Sequence, residues 1–284
     1  MIKKLVLILV LFIFVFVFSG CRTVLRMNKY SDSEKYLVGN KEYFGDIKKL
    51  DIDWYVGNVK IVVSDRITVT ESGEDLSEKQ KVRSYFENGT LKVKFWKSGY
   101  ASDVDTKEKH LTVEIPNGVD ILIDCVSSSV SITNIECDNV EIETVSGSVD
   151  IGSMKCKNVD ISSVSGSINI DKVVSDNIDL ESVSGKIESL DVTSKSIDIY
   201  TVSGGIEVGL RDFNNLEAES VSGRITTSFL ADLGVTISFK TTSGDLIVDN
   251  TDLSFKILDK KYVIGDGSRT LDVKTTSGNI YLKW

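Results

Sequence analysis

The sequence predicts an all-β chain folded as a single-stranded parallel β-solenoid, β-helix-like, with turns of about 19 residues. Three observations carry that expectation. Close copies of Thr144-Val145-Ser146-Gly147-Ser148-Val149-Asp150-Ile151 recur through the C-terminal half, with the serine of each copy at Ser127, Ser146, Ser165, Ser184, Ser203 and Ser222, evenly spaced. Apolar and polar residues alternate around each copy, the period-two signature of half-buried strands. One proline and 21 glycines leave the turns to glycine and polar residues.

Taken in order, the chain opens on a different kind of segment. Lys3 and Lys4 precede an uninterrupted apolar run from Leu5 to Phe18, short of the roughly 20 residues a membrane-crossing helix needs. Phe18-Ser19-Gly20-Cys21 then sets small residues before a cysteine. This leader, residues 1–20, resembles a bacterial lipoprotein signal peptide, with Phe18 where leucine is usual. The resemblance implies that Cys21 is lipidated and anchors an exported chain to a membrane of the bacterial cell envelope. The alternative is an ordinary secretory signal with a chance cysteine. Residues 21–45, including Ser31-Asp32-Ser33-Glu34-Lys35, are polar and aperiodic, which suits a stalk; a first strand beginning near Tyr43-Phe44 is the other reading.

Residues 46–125 read as irregular N-terminal turns of the solenoid. Leu50, Ile52, Trp54, Val59, Ile61, Val63, Ile67 and Val69 alternate with polar neighbours. Gly57-Asn58-Val59-Lys60-Ile61 and Asn88-Gly89-Thr90-Leu91-Lys92-Val93 look like looser forms of the repeated corner. Asp75 to Arg83 is charged and reads as loop rather than helix, and Pro116, unable to donate to a ladder, closes a strand.

Residues 126–240 are the regular 19-residue repeats. Counted from each serine, the columns Ile121, Val140, Val159, Ile178, Ile197, Leu216 and Ile123, Ile142, Ile161, Leu180, Ile199, Ala218 and Val130, Val149, Ile168, Ile187, Ile206, Ile225 face one interior. The valine before each serine breaks the alternation, so the strand bends there, and the following glycine permits a turn that a side chain would obstruct. Each turn is thus expected to be two short strands meeting at a Val-Ser-Gly corner, closed by a variable loop. Asn139, Asn158, Asn177, Ser196 and Asn215 form a polar ladder at a second corner. Residues 241–284 are irregular C-terminal turns and a cap, with copies at Ser243 and Ser277, a Gly265-Asp266-Gly267 turn, and Trp284 placed to cover the open end.

Outward columns are the one chemical feature. Glu141, Asp160, Asp179, Asp198 and Glu217 fall in one column, Glu143, Glu181 and Glu219 in a second, and Asp150, Glu188 and Glu207 in a third. In-register carboxylates repel at strand spacing. A solvated face offset by Lys155, Lys157, Lys172 and Lys195 is one reading, and oxygen ligation of Ca2+ the other; otherwise no cofactor is expected. Cys137 and Cys156 occupy the same place on consecutive turns, which leaves open both a disulfide and a stack of buried thiols, with Cys125 unpaired.

Residues 45–284 resemble the bacterial family called domain of unknown function 4097, also labelled putative adhesin. The resemblance rests on Gly57-Asn58-Val59-Lys60-Ile61, on Leu111-Thr112-Val113-Glu114-Ile115-Pro116, on the serial Val-Ser-Gly corners, and on the ending from Gly265-Asp266-Gly267 to Ser277-Gly278-Asn279-Ile280. It implies a β-solenoid, often envelope-associated, with no established enzymatic activity and no catalytic residues.

A formal net charge of −9 argues against nucleic acid and favours a basic partner or a cation. The expected function is therefore a non-catalytic envelope or surface lipoprotein with a β-solenoid binding, adhesin-like domain for a protein or glycan partner. Envelope-stress sensing and a self-assembling structural solenoid are the alternatives. A polysaccharide-active enzyme is disfavoured because the regular turns lack loops to wall a groove, and His110, the sole histidine, is expected in an exposed loop.

Overall fold

The computed structural model describes residues 29–100, 107–249 and 261–284, with the backbone of 255–258. The expected signal peptide and Cys21 lie outside the described residues. The described chain is a parallel β-solenoid, with every inward position of the three predicted apolar columns buried.

The N-terminal part departs first from the sequence reading. After a 3-10 turn at Ser33–Lys35, β1 (Leu37–Val38) and β2 (Lys41–Tyr43) are strands, not stalk. Tyr30 donates its hydroxyl to the Trp96 carbonyl at 2.9 Å, and Tyr36 is buried, so this segment is held by the domain. β3 (Lys49–Val63) is the first solenoid turn. β4 (Ile67–Ser72) and β5 (Arg83–Glu87) flank the loop expected between residues 75 and 83, and pair with β2 and β1 respectively, in antiparallel sense. β5 and β6 (Thr90–Lys94) form an antiparallel hairpin across Asn88-Gly89, both at positive φ. That pair of left-handed residues makes a two-residue hairpin turn, so the stretch is not a loose copy of the solenoid corner. Gly57 does occupy the corner, in register with Ser128. β7 (Lys109–Ile115) ends before Pro116 as expected.

The regular turns run through β8 (Asp120–Glu136), β9 (Asn139–Thr144), β10 (Val149–Lys155), β11 (Asn158–Ser163), β12 (Ile168–Ser182), β13 (Ile187–Thr201) and β14 (Ile206–Ser220). Pairing is parallel and in register, with Ile168 opposite Ile187 and Ile187 opposite Ile206, apart from an irregularity between Ser189 and Thr193 where β13 meets β14. Each full turn has three walls rather than two. In β12 the buried positions are Ile168 and Ile170, then Val173 and Ser175, then Ile178, Leu180 and Ser182. Between these sets, Asp171-Lys172 and Asp176-Asn177 each put two successive residues outside, which shifts the period-two phase and turns the chain. The expected variable loop is therefore itself a wall, with Lys172 to Ser175 paired to Asp191 to Ser194.

The Val-Ser-Gly corners are closed by a hydroxyl. Ser163, Ser182, Thr201 and Ser220, each buried, accept hydrogen bonds from Gly166, Gly185, Gly204 and Gly223 N–H at 2.8, 2.9, 3.0 and 2.7 Å. Each such bond stabilises by roughly 1 kcal/mol and satisfies a donor that would otherwise be buried without a partner.

The remaining strands are β15 (Ile225–Phe229), β16 (Val235–Lys240), β17 (Leu246–Asp249), β18 (Phe255–Leu258), β19 (Lys261–Ile264), β20 (Arg269–Thr275) and β21 (Ile280–Lys283). Their stacking order differs from their chain order. β20 pairs with β14 on one side and β16 on the other, and β21 lies between β15 and β17. The Ser277 corner therefore stacks on Ser222, with Ser277 N–H bonded to Val221 O at 3.0 Å, and the Ser243 corner stacks outside Ser277. The other end repeats this arrangement, because β3 sits between β8 and the turn made by β6 and β7. At each end the first or last solenoid turn is tucked inside and its neighbour forms the outermost rung; antiparallel β4 and β5 cover that rung at one end, and β19 covers its β16 part at the other. Trp284 stacks on Phe229 with ring centroids 4.0 Å apart, so it packs within the end it was expected to cover.

Candidate functional site

The third wall of each turn carries the first two acidic columns. Because strands pair in register about 4.8 Å apart, Glu141, Asp160, Asp179, Asp198 and Glu217 are neighbours on five successive strands, continued by Asp272 in the inserted β20. The parallel column runs Asp53, Asp124, Glu143, Ser162, Glu181, Tyr200, Glu219. Asp51 and Asp53 start the strip on β3, which sequence reading had not connected to it. Cations bound it at each end: Lys94 Nζ donates to Asp51 at 3.1 Å and Asp53 at 2.5 Å, and Lys274 Nζ donates to Glu217 at 2.5 Å.

Between those ends the strip holds its own charge. Among the described residues no lysine or arginine forms an ion pair with Asp124, Glu141, Glu143, Asp160, Asp179, Glu181 or Asp198. The lysines expected to offset it go elsewhere. Lys155, Lys157 and Lys195 pair with Glu136, Asp138 and Asp176 at 3.8, 2.8 and 2.7 Å, all at the corners, and Lys172 stands opposite Asp191 on the second wall. Packing between turns pushes the Asp179 carboxyl up to about 6, with the charges of Glu181, Asp160 and Asp198 adding to it. Burial, then Asp53, Glu143 and Asp51, pushes Asp124 to about 7 against the pull of Lys94. Glu143, Asp160, Glu181 and Asp198 shift upward as well, with burial the first cause of each.

The third acidic column lies on another wall and is partly neutralised. Asn169 donates to Asp150 at 2.7 Å, and Lys186 bridges Glu188 and Glu207, the latter at 2.9 Å. The asparagine ladder is hydrogen-bonded over its first three rungs, with Asn158 and Asn177 each donating to the residue one turn back at 2.9 Å and Asn139 donating to Asp120 at 2.8 Å, while Ser196 and Asn215 continue it in register. Among the described residues no group of three or more His, Cys, Asp or Glu side chains converges on a point that could hold a metal ion. The carboxylates form lines, not cages, which does not suit the six to eight oxygens that Ca2+ takes. His110 is exposed, but on β7 opposite Asn58 rather than in a loop.

One ion pair escaped the sequence reading. Lys109 Nζ donates to Glu71 at 2.5 Å, to the Gln80 carbonyl at 2.5 Å and to the Phe95 carbonyl, and lies 4.9 Å from the Trp54 ring centroid, wholly buried beneath the end cap. Burial, partly offset by Glu71, lowers its pKa to about 8. The signal was present: Lys109 falls in phase with inward-facing Leu111, Val113 and Ile115. Its partners on three surrounding segments make it a structural plug with no open approach.

The profile of the Toastrack DUF4097 family matches residues 47–283. Among curated proteins nothing matches. The fold is similar to a putative adhesin from Bacteroides fragilis, with TM-score 0.51 and 17% identity over 87% of this chain and 97% of that one. It is also similar to putative adhesins from Parabacteroides merdae, with TM-score 0.51 and 12% identity over 86% and 95%, and from Parabacteroides distasonis, with TM-score 0.50 and 13% identity over 87% and 97%. At these identities the likeness is one of fold.

Proposed function

The chain belongs to the Toastrack DUF4097 family, and on that premise we propose that it is a non-catalytic envelope or surface lipoprotein that binds through the acidic face of its solenoid. The observation that carries this reading is the strip from Asp51 to Glu219, a line of carboxylates without cationic partners along its middle. Holding such charges in register costs stability through mutual repulsion, a cost that a basic protein surface would relieve on docking. The names of the structural relatives fit a surface-binding role. The leader supports export and attachment through Cys21.

The test is protease accessibility on intact and lysed cells, with Cys21→Ser beside the wild type. Digestion of the domain on intact cells, with release of Cys21→Ser into the soluble fraction, is the expected result. Protection until lysis contradicts surface display, and unchanged membrane attachment of Cys21→Ser contradicts the lipid anchor. End-to-end association is favoured by one observation, the β17 edge, which among the described residues pairs only with β21 and leaves Ile247 and Val248 exposed.

A further inference from the structure

Cys137 and Cys156 lie at the same corner of consecutive turns, where the second wall gives way to the third. Each backbone N–H reaches one turn ahead, Cys137 to the Lys155 carbonyl at 3.1 Å and Cys156 to the Val174 carbonyl at 3.0 Å. The two Sγ atoms are 3.1 Å apart and unbonded. Parallel strands place Cα atoms about 4.8 Å apart, inside the range of roughly 4.4–6.8 Å that a disulfide accepts. In-register side chains ordinarily point side by side, so the inward turn of both sulfurs needs a cause. The next two turns supply it: Ser175 and Ser194 hold the same position, are paired in register, and their Oγ atoms are 3.2 Å apart. At this corner, therefore, in-register β-substituents of consecutive turns come within contact distance in both pairs. Cys137 is half-buried and open to a small reagent, whereas Cys125 is buried on the third wall, in register with Thr144 and away from this corner.

We propose that Cys137 and Cys156 are a disulfide-forming site, closed by exchange with a small-molecule or protein disulfide, that staples two adjacent turns of the solenoid. One cysteine thiolate attacks a sulfur of the incoming disulfide and expels a thiolate from it. The second cysteine loses its proton to solvent and displaces the remaining half, forming the Cys137–Cys156 bond. The two cysteines lose two electrons and two protons, and the incoming disulfide is reduced to two thiols. Closure asks the sulfurs to approach by about 1 Å, given a bond of roughly 2.05 Å. An exported chain meets such oxidants, whereas a chain in a reducing compartment does not.

The experiment uses the full-length chain in detergent, incubated with oxidised glutathione, denatured, alkylated with N-ethylmaleimide and weighed. The expected result is two fewer alkylated thiols than in the reduced chain and a cross-linked peptide pair containing Cys137 and Cys156. The oxidised chain should also melt about 5 °C higher, a shift reversed by dithiothreitol. The C137S/C156S double variant reproduces the Ser175–Ser194 rung, so it should fold, keep its remaining thiols and show no shift. Two thiols that stay alkylatable after oxidation, or separate glutathione adducts on each cysteine, would overturn the proposal.

Discussion

Gly204 and Gly205 stand side by side under opposite demands. A Cβ on Gly204 would lie 1.9 Å from the carbonyl oxygen of Gly185 one turn back, whereas a Cβ on Gly205 would meet nothing nearer than the Arg224 carbonyl at 3.5 Å. The same close approach recurs at Gly166, Gly185 and Gly223. None of these corner glycines has positive φ, so they serve stacking and not an unusual backbone angle. Gly204→Ala should therefore cost about 3 kcal/mol, near the upper end for overpacking, while Gly205→Ala should be neutral or slightly stabilising. Urea unfolding of the two variants checks this, and equal losses would refute the stacking argument. The corner glycine was legible because its spacing repeats. Its hydroxyl partner three residues earlier repeats just as faithfully, at Thr144, Ser163, Ser182, Thr201 and Ser220, yet serine and threonine are common in strands and loops alike, so the column by itself does not reveal its bond to the glycine N–H.

At the level of the wall, the acidic strip makes stability depend on pH in an unusual direction. Carboxyls such as Asp124 at about 7 and Asp179 at about 6 have folded pKa values above the roughly 3.9 of an unfolded aspartate. The folded state then binds protons more tightly than the unfolded one. This contribution is complete below about pH 4 and is lost as pH rises through about 6 to 7. The melting temperature should accordingly be higher at pH 5 than at pH 8. Asp179→Asn should raise it at pH 8 and flatten the profile, as calorimetry across that range would show. A melting temperature that falls steadily from pH 8 to pH 5 would mean that other groups dominate. The columns themselves could be read from the repeat, since register follows from constant spacing. The lysine destinations could not, because a lysine side chain reaches whichever carboxylate its wall and corner present, and the third wall was hidden inside what looked like a variable loop.

For the whole molecule, the repeat fixed the class of fold but not the order of its rungs. The copies at Ser243 and Ser277 have nearly the same local sequence, so nothing in either specifies which lies beside Ser222. The choice is made by long-range pairing, with β20 filling the place between β14 and β16. The end caps were half legible, since Asn88-Gly89 is a strong hairpin signal that was absorbed into the repeat pattern instead. The central claim remains that the strip, rather than net charge, does the binding. The direct measurement is retention of the full-length chain on immobilised poly-L-lysine at physiological salt. Asp160→Asn/Asp179→Asn/Asp198→Asn is compared there with Asp150→Asn/Glu188→Gln/Glu207→Gln, which removes as much charge from another wall. The account predicts that the first triple variant loses affinity about tenfold or more while the second stays near wild type; equal losses would contradict it.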